Sequence, residues 1–264
     1  MSKLAPVATS SALLIAGALV AAGTAHAQTP TVAAPVTAKT IVLVHGAFAD
    51  GSSWDKVIPA LQGAGYNVVA LYEPLTSLAD DVAATKRVIE AQPGPVLLVG
   101  HSYGGVVITE AGNHDKVSGL VYVAAFAPDA GESVQDLGKD KPAPEWSKKL
   151  IVDPAGFLTL PLDVITKDFA QDVSPADAKL ILAKQGPIAA KAFGDKVKTA
   201  AWKTKPSWFI RAEADHMIDP AGQELMAKRA GSKLTSVKGA SHVVMWSKPK
   251  DVIAVILAAA SGKK

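Results

Sequence analysis

The stretch LVGHSYGGVV, residues 98–107, places a serine between glycines directly after an apolar run. Gly100, Ser102 and Gly104 have the spacing G-x-S-x-G, which is typical of a sharp turn from a buried strand into a helix. Small residues around such a turn let the strand and the helix approach each other closely. A glycine-rich link with an unused serine has the same letters, so the interpretation depends on the flanking sequence.

Strand and helix patterns alternate on both sides of this stretch. Four short, continuous apolar runs are typical of strands buried on both faces: TIVLVHG (40–46), YNVVALY (66–72), VLLVG (96–100) and VSGLVYVAAFA (117–127). Helices are predicted at about residues 53–64, over about 15 residues after an N-cap at Ser77, and directly after the glycine-rich stretch. This alternation predicts a parallel sheet with helices on both faces.

The alternation stops between residues 128 and 206, in a stretch rich in Lys, Asp and Pro with helical pieces such as SPADAKLILAKQ (174–185). It then resumes with SWFIRA (207–212), a helix at about 220–230, KLTSV (233–237) and a last helix at about 249–260. We therefore expect one α/β domain over residues 40–264, with a mostly parallel, doubly wound sheet of about six strands. A small helical cap, at about 129–205, is expected as an insertion after the fourth strand. A few extra surface helices are the alternative to a cap.

The composition narrows the classes of function. The chain has 264 residues, of which 49% are hydrophobic and 19% charged, enough to build one large core. A formal net charge of +3, from evenly mixed charges, does not favour a nucleic-acid or anionic-membrane partner. The absence of cysteine excludes disulfides, thiol catalysis and thiolate metal sites. No feature of the sequence indicates an oligomeric state.

The N-terminal residues have the pattern of a secretory signal. Lys3 is followed by the apolar run LLIAGALVAAG (13–23) and by Ala25-His26-Ala27, small residues at the positions that a signal peptidase reads. The apolar run is shorter than the roughly 20 residues that span a bilayer. We expect residues 1–27 to be removed, 28–39 to form an extended leader, and the protein to be periplasmic or secreted without membrane attachment. A buried N-terminal helix is the alternative.

A serine hydroxyl is a poor nucleophile unless a base, a group that orients the base, and donors to an oxyanion surround it. His242 is the candidate base because VKGASHVVMW (237–246) forms a loop between the last strand and the last helix. Loops at the carboxyl ends of parallel strands are where open α/β sheets place their sites. For a Ser, Asp, His chain order the candidate acid is Asp215, in RAEADHMIDP (211–220), with Asp129 as the alternative.

Two backbone N–H groups are the candidate oxyanion donors. One belongs to Tyr103, directly after the serine, and the other to Ala47, in the loop after the first strand. Gly46 lets a substrate approach that backbone. Phe48 and Met217 adjoin the site in sequence and are the candidate substrate-binding residues.

Four motifs together resemble the α/β-hydrolase superfamily: VLVHGAF (42–48), GHSYGG (100–105), AEADHMI (212–218) and GASHVV (239–244). The likeness covers about residues 40–260 and is strongest to the small hydrolases that include plant methyl-ester hydrolases and hydroxynitrile lyases. This resemblance implies an α/β-hydrolase fold without the first two strands of the full sheet and with a short helical cap. It also implies that the chain uses neither a metal nor an organic cofactor.

The resemblance also helps to separate the chemistries of that group. Its lyases carry threonine in the oxyanion loop and lysine after the histidine, where this chain has Gly46 and Val243. Epoxide hydrolases and haloalkane dehalogenases carry aspartate in place of Ser102. We therefore expect hydrolysis of a small-molecule ester through an acyl-enzyme. The alternatives are a carbon–carbon lyase or hydrolase that uses the same three residues, and a ligand-binding protein with little turnover.

Overall fold

The computed structural model of the chain describes residues 37–139 and 142–262. The predicted signal sequence, 1–27, and most of the predicted leader, 28–39, lie outside the described residues. Nine strands follow in chain order: β1 (Thr40–Val44), β2 (Asn67–Ala70), β3 (Val96–His101), β4 (Val117–Val123), β5 (Ile151–Val152), β6 (Phe157–Thr159), β7 (Ile188–Ala189), β8 (Ser207–Ala212) and β9 (Lys233–Val237). Over the two described ranges, no helix is both long enough and apolar enough to cross a membrane.

Six strands form the central sheet in the order β2-β1-β3-β4-β8-β9, and each neighbouring pair is parallel. This confirms the prediction of a mostly parallel sheet of about six strands. The chain runs from β1 outward to β2 and then returns to β3 on the other side of β1. The loops that follow β1 and β3 therefore diverge from neighbouring strand ends, which is where open α/β sheets bind their ligands.

The helices, in chain order, are α1 (Ile58–Gly63), α2 (Leu78–Glu90), α3 (Gly104–Ala111), α4 (Val134–Gly138), α5 (Leu162–Val164), α6 (Pro175–Lys184), α7 (Pro220–Arg229), α8 (Val244–Ser247) and α9 (Pro249–Ala260). The predicted N-cap at Ser77 is confirmed, since its side chain accepts the N–H of Asp80, and the side chain of Ser174 accepts the N–H of Asp177 in the same way. Each cap satisfies a backbone donor that the first helical turn leaves free.

The helix predicted at about 53–64 is divided in the structure. A 3₁₀ turn at Gly51–Trp54, capped by Asp50, comes first, and α1 starts only at Ile58. Pro59 explains the break, because its ring would clash with a preceding helical turn and it has no N–H to donate. Proline is tolerated only in the first turn of a helix, which is where Pro59 lies in α1. The prediction of one continuous helix was therefore wrong.

The strand predicted at 117–127 ends early, at Val123. Ala124 has a φ of 42°, in the left-handed region, so the chain leaves the sheet there. The turn brings Phe126 below the glycine-rich stretch, where its N–H donates to the carbonyl of Ser102 at 3.2 Å. The end of β4 thus supports the turn that follows β3.

The insertion after β4 contains the predicted helical pieces, α4 to α6, and also a small sheet that was not predicted. Strands β5, β6 and β7 pair antiparallel in that order. Each has only two or three residues, too few to give a recognisable alternation in the sequence. A π-helical turn, Ile165–Phe169, continues α5 and points toward the site described below.

Gly105 is predicted to be indispensable for the packing of α3. A Cβ atom at this position would lie 2.2 Å from the carbonyl oxygen of Phe126, whereas one at Gly63 would meet nothing within 4 Å. We expect Gly105→Ala to lower the free energy of unfolding by about 1–3 kcal/mol through overpacking. The matched change Gly63→Ala should instead stabilise the protein by about 0.5–1 kcal/mol, because alanine favours the helix. Urea unfolding measures both, and equal effects would contradict the packing argument.

Candidate active site

Ser102 lies at a strained turn between β3 and α3. Its φ is 52°, in the left-handed region that non-glycine residues rarely adopt, and it is 7% exposed. A Cβ on Gly100 would lie 2.5 Å from the carbonyl oxygen of Gly104, and one on Gly104 would lie 2.5 Å from that of His45. The glycines are therefore required by close backbone contacts, and the predicted strand–turn–helix arrangement is confirmed.

His242 and Asp215 meet in the interior, as neighbouring loops after β9 and β8 bring them together. The His242 Nδ1 lies 2.8 Å from the Asp215 Oδ2, and both side chains are buried. Because a carboxylate accepts, Nδ1 carries the proton and Nε2 is left as the basic nitrogen. Asp129, the alternative acid, is paired with Lys203 at 2.5 Å. The geometry therefore joins His242 to Asp215.

The carboxylate of Asp215 is held by more than the histidine. Its Oδ1 accepts the backbone N–H groups of Met217 and Ile218 at 2.8 and 3.0 Å. Its Oδ2 accepts the side-chain amide of Gln223 at 2.8 Å. Gln223 belongs to no motif of the sequence and was not predicted. The only indication in the sequence is an uncharged polar residue one turn into α7, the helix that follows the loop containing Asp215.

The ring of His242 is packed on two sides by aromatic side chains. The His101 ring lies 4.7 Å away between centroids and its Nε2 donates to the His242 carbonyl at 2.9 Å, while the Phe169 ring lies 5.2 Å away. Burial lowers the pKa of His101 well below its usual value, so this ring stays neutral beside His242. His101 thus supports the histidine loop by packing and by one hydrogen bond.

Ser102 and His242 lie in the same region of the structure, without a direct hydrogen bond between their side chains in the described residues. His101, which contacts the ring and the carbonyl of His242, is the chain neighbour of Ser102. In the part of the chain that the structure describes, no hydrogen bond joins Ser102 Oγ to the His242 ring. Catalytic hydrogen bonds are often loose in free enzymes and tighten when a substrate binds.

The loop after β1 lies directly against Ser102. A Cβ on Gly46 would be 2.7 Å from the Cβ of Ser102, so any larger residue there would have to displace the loop or the serine. Phe48 has a φ of 61°, a second strained residue at this edge of the sheet. Among the described residues, the N–H groups of Ala47 and Tyr103 have no acceptor, which leaves both of them able to donate to a ligand.

A group of buried polar side chains lies behind this loop. The hydroxyl of Tyr103 donates to the Asp81 Oδ2 at 3.0 Å, and the other Asp81 oxygen accepts the N–H of Leu75 at 2.8 Å. Burial raises the pKa of Asp81 to about 6 and that of Glu73 well above its usual value. Glu73 lies 3.7 Å from the Nδ1 of His45, whose pKa is lowered by burial. This group was not predicted, because its members are far apart in the chain.

A small cavity of about 30 Å³ borders the site on the cap side. Its apolar lining includes Phe48, Phe169, Val243, Met245 and Trp246, and its polar lining Asp50, Ser52, Ser53, His101 and Lys184. Phe48 lines this cavity, and its role as a substrate-binding residue stays a prediction. Met217 does not line this cavity within the described ranges, and its role stays a prediction.

No three His, Asp or Glu side chains of the described residues are grouped so that they could hold a metal ion.

Comparison with known proteins identifies the family. A family model described as the alpha/beta hydrolase family matches residues 41–255. Salicylic acid-binding protein 2 of Nicotiana tabacum is 27% identical over 252 residues, which cover 83% of this chain and 96% of its own length. Methylesterase 8 of Arabidopsis thaliana is 26% identical over 242 residues, with 79% and 85% covered. The crystal structure of polyneuridine aldehyde esterase has the same fold, with a TM-score of 0.72 at 23% identity and coverages of 83% and 98%. The chain therefore belongs to the alpha/beta hydrolase family, and the relatives that it resembles include a methylesterase.

Proposed function

We propose that the protein hydrolyses small carboxylic esters through an acyl-enzyme, with Ser102 as nucleophile, His242 as general base and Asp215 as its partner. The observation that carries the proposal is the buried 2.8 Å contact between His242 Nδ1 and Asp215 Oδ2. It leaves Nε2 as a base on the loop beside the strained turn of Ser102. A surface histidine without a buried carboxylate would have no such fixed orientation.

Formation of the acyl-enzyme begins when the His242 Nε2 takes the proton from the Ser102 Oγ. The oxygen attacks the ester carbonyl, and the electron pair of the C=O bond moves onto oxygen. The N–H groups of Ala47 and Tyr103 donate to this oxyanion, and one such donor typically contributes about 3–4 kcal/mol to the stabilisation of the transition state. The C–O bond then breaks, and the leaving alcohol takes the proton from His242.

Release of the acid repeats these steps with water. The His242 Nε2 removes a proton from a water molecule, whose oxygen attacks the acyl carbon bound to Ser102. When the second tetrahedral intermediate collapses, the Ser102 Oγ leaves and regains its proton from His242. Throughout both steps the Asp215 carboxylate stays ionised and stabilises the imidazolium that forms.

The cavity lining favours substrates with a small apolar group. Phe48, Phe169, Val243 and Trp246 present apolar and aromatic surfaces to the cavity that His101 also lines, and the Phe169 ring contacts the His242 ring. Of two relatives, one is named a methylesterase, which agrees with an ester substrate, and the other a salicylic acid-binding protein, which agrees with a small carboxylic acid as ligand or product. Val243 makes the lining apolar at the position where lyases of the group that this chain resembles carry lysine. The absence of that lysine favours hydrolysis over the release of cyanide.

A panel of substrates tests the reaction class. We expect kcat/KM for p-nitrophenyl esters of two to four acyl carbons and for aryl methyl esters to exceed that for a lactone, a β-diketone and a cyanohydrin by at least about tenfold. Preferred cleavage of the cyanohydrin or the β-diketone would replace ester hydrolysis by lyase or carbon–carbon hydrolase chemistry. Tight binding of esters without turnover would identify a ligand-binding protein instead.

A further inference from the structure

Gln223 is a buried polar residue whose side chain faces the candidate catalytic acid. It lies on α7, one turn after the Asp219 N-cap, and is fully buried. Its Nε2 donates to the Asp215 Oδ2 at 2.8 Å and to the Ile218 carbonyl at 2.9 Å, and its Oε1 accepts the N–H of Ala212 at 3.2 Å. A carboxylate and a carbonyl only accept and a backbone N–H only donates, so the orientation of the amide is fixed.

The amide binds the same carboxylate oxygen that contacts the histidine. Asp215 Oδ1 accepts the N–H groups of Met217 and Ile218, and because the planar carboxylate turns about the Cβ–Cγ bond as one unit, a donor on Oδ2 gives it a second point of attachment that resists this rotation. The donor from Gln223 holds Oδ2 where it meets the His242 Nδ1. The amide is also uncharged. It stabilises the ionised carboxylate by hydrogen bonding without adding a cation that would make His242 less basic.

Gln223 also connects three parts of the segment that carries Asp215, from the end of β8 to the start of α7. Ala212 is the last residue of β8, Asp215 lies in the loop, and Ile218 directly precedes the N-cap of α7. One side chain thus holds the end of the strand, the carboxylate and the entry to the helix in a single arrangement. A residue with a purely structural role in the core would not need its donor to face the carboxylate.

We propose that Gln223 is a positioning residue that holds the Asp215 carboxylate in alignment with His242. This inference rests on the proposed function, in which Asp215 and His242 act on Ser102. It assigns to Gln223 an effect on the protonation of His242, which a packing residue would not have.

The test replaces the amide by groups of the same size. Gln223→Glu puts a second carboxyl group 2.8 Å from Asp215, and when both are ionised the added negative charge favours the imidazolium form of His242. We expect the acidic limb of the pH profile of kcat/KM to move upward by about one pH unit, and kcat/KM at pH 7 to fall by up to about tenfold. Gln223→Leu removes the donor to Asp215 without adding a charge, together with the bonds to Ile218 and Ala212, and should lower kcat roughly tenfold with little change in KM.

The controls separate this inference from the function on which it rests. Gln62→Glu, at an exposed position on α1, adds the same charge and should leave both kcat and the pH profile unchanged. If Ser102→Ala retains the esterase activity of the wild type, the proposed function fails whatever Gln223 does. If activity requires Ser102 but both Gln223 variants keep the wild-type kcat and acidic limb, the positioning role is overturned.

A spectroscopic readout covers the case in which a variant loses stability. In the folded full-length protein, the low-field proton resonance of the His242 Nδ1–H reports its hydrogen bond to Asp215. We expect Gln223→Leu to shift this resonance at a temperature where circular dichroism shows the variant to be folded. If Gln223→Glu does not fold, the Gln223→Leu resonance and its kcat decide, and wild-type values for both overturn the proposal.

Discussion

Replacement of Ser102 by alanine is expected to lower kcat for p-nitrophenyl acetate by about 10,000-fold to a million-fold. The change removes the atom that forms the acyl-enzyme, and losses of this size are typical when a member of such a catalytic group is deleted. Removal of the hydroxyl leaves the strained backbone at φ 52° in place, so the fold is expected to persist. Steady-state turnover, with thermal unfolding followed in parallel, measures both.

The matched control is a serine of the same sheet that lies away from the site. Ser118, on β4, donates its hydroxyl to the Val96 carbonyl at 3.2 Å. Ser118→Ala should keep turnover within about twofold, because surface and near-surface changes rarely alter a distant site. Retention of more than a tenth of the wild-type activity in Ser102→Ala would contradict the assignment of the nucleophile.

Asp215→Asn is expected to lower kcat by about 10,000-fold. The amide that replaces the carboxylate can donate to His242, which favours the tautomer with the proton on Nε2 and removes the base from the position facing Ser102. The backbone donors of Met217 and Ile218 still find an oxygen, so we expect the variant to fold. Stopped-time assays at high enzyme concentration give the residual rate.

Asp129→Asn is the control that separates the two candidate acids. Asp129 pairs with Lys203 at the surface, and a pair of this kind contributes at most about 1 kcal/mol to stability. Its replacement should therefore leave kcat within about twofold. A large loss in Asp129→Asn together with an active Asp215→Asn would reverse the assignment of the acid.

The elements that the sequence predicted best are those in which local pattern and tertiary structure agree. Strands β8 and β9 have the predicted bounds, because each is a β-branched or aromatic run that ends at a polar turn. The helix after Ser77 begins at its predicted cap, because the serine side chain accepts the N–H of Asp80. The glycines of the turn at Ser102 were also predictable, since only glycine tolerates backbone contacts of 2.2–2.9 Å at its Cβ position.

Other features depend on contacts between distant parts of the chain. The end of β4 is set by the left-handed conformation of Ala124, which alanine does not prefer and which the packing of Phe126 below the turn favours. The short strands of the cap are stabilised by pairing and not by their own sequence. Both features follow from tertiary structure, which overrides local propensity.

The candidate site also has residues that local sequence indicates and residues that only the tertiary contacts reveal. The sequence was sufficient to select Ser102, His242 and Asp215 as candidates, because each lies in a loop after a strand of the parallel sheet. It could not predict the groups that hold them, such as Gln223, His101 and Phe169. These side chains are ordinary polar or aromatic residues, and their roles follow only from the atoms that they contact.

The most direct measurement is covalent trapping with a serine-directed fluorophosphonate, followed by mass spectrometry of the digested protein. A phosphonate reacts only with a serine that is activated by a base and lies beside oxyanion donors. We expect one adduct per chain, on Ser102, formed in parallel with the loss of esterase activity and absent in His242→Ala. An adduct on another serine, or full loss of activity without any label on Ser102, would contradict the assignment of Ser102, His242 and Asp215 as the catalytic group.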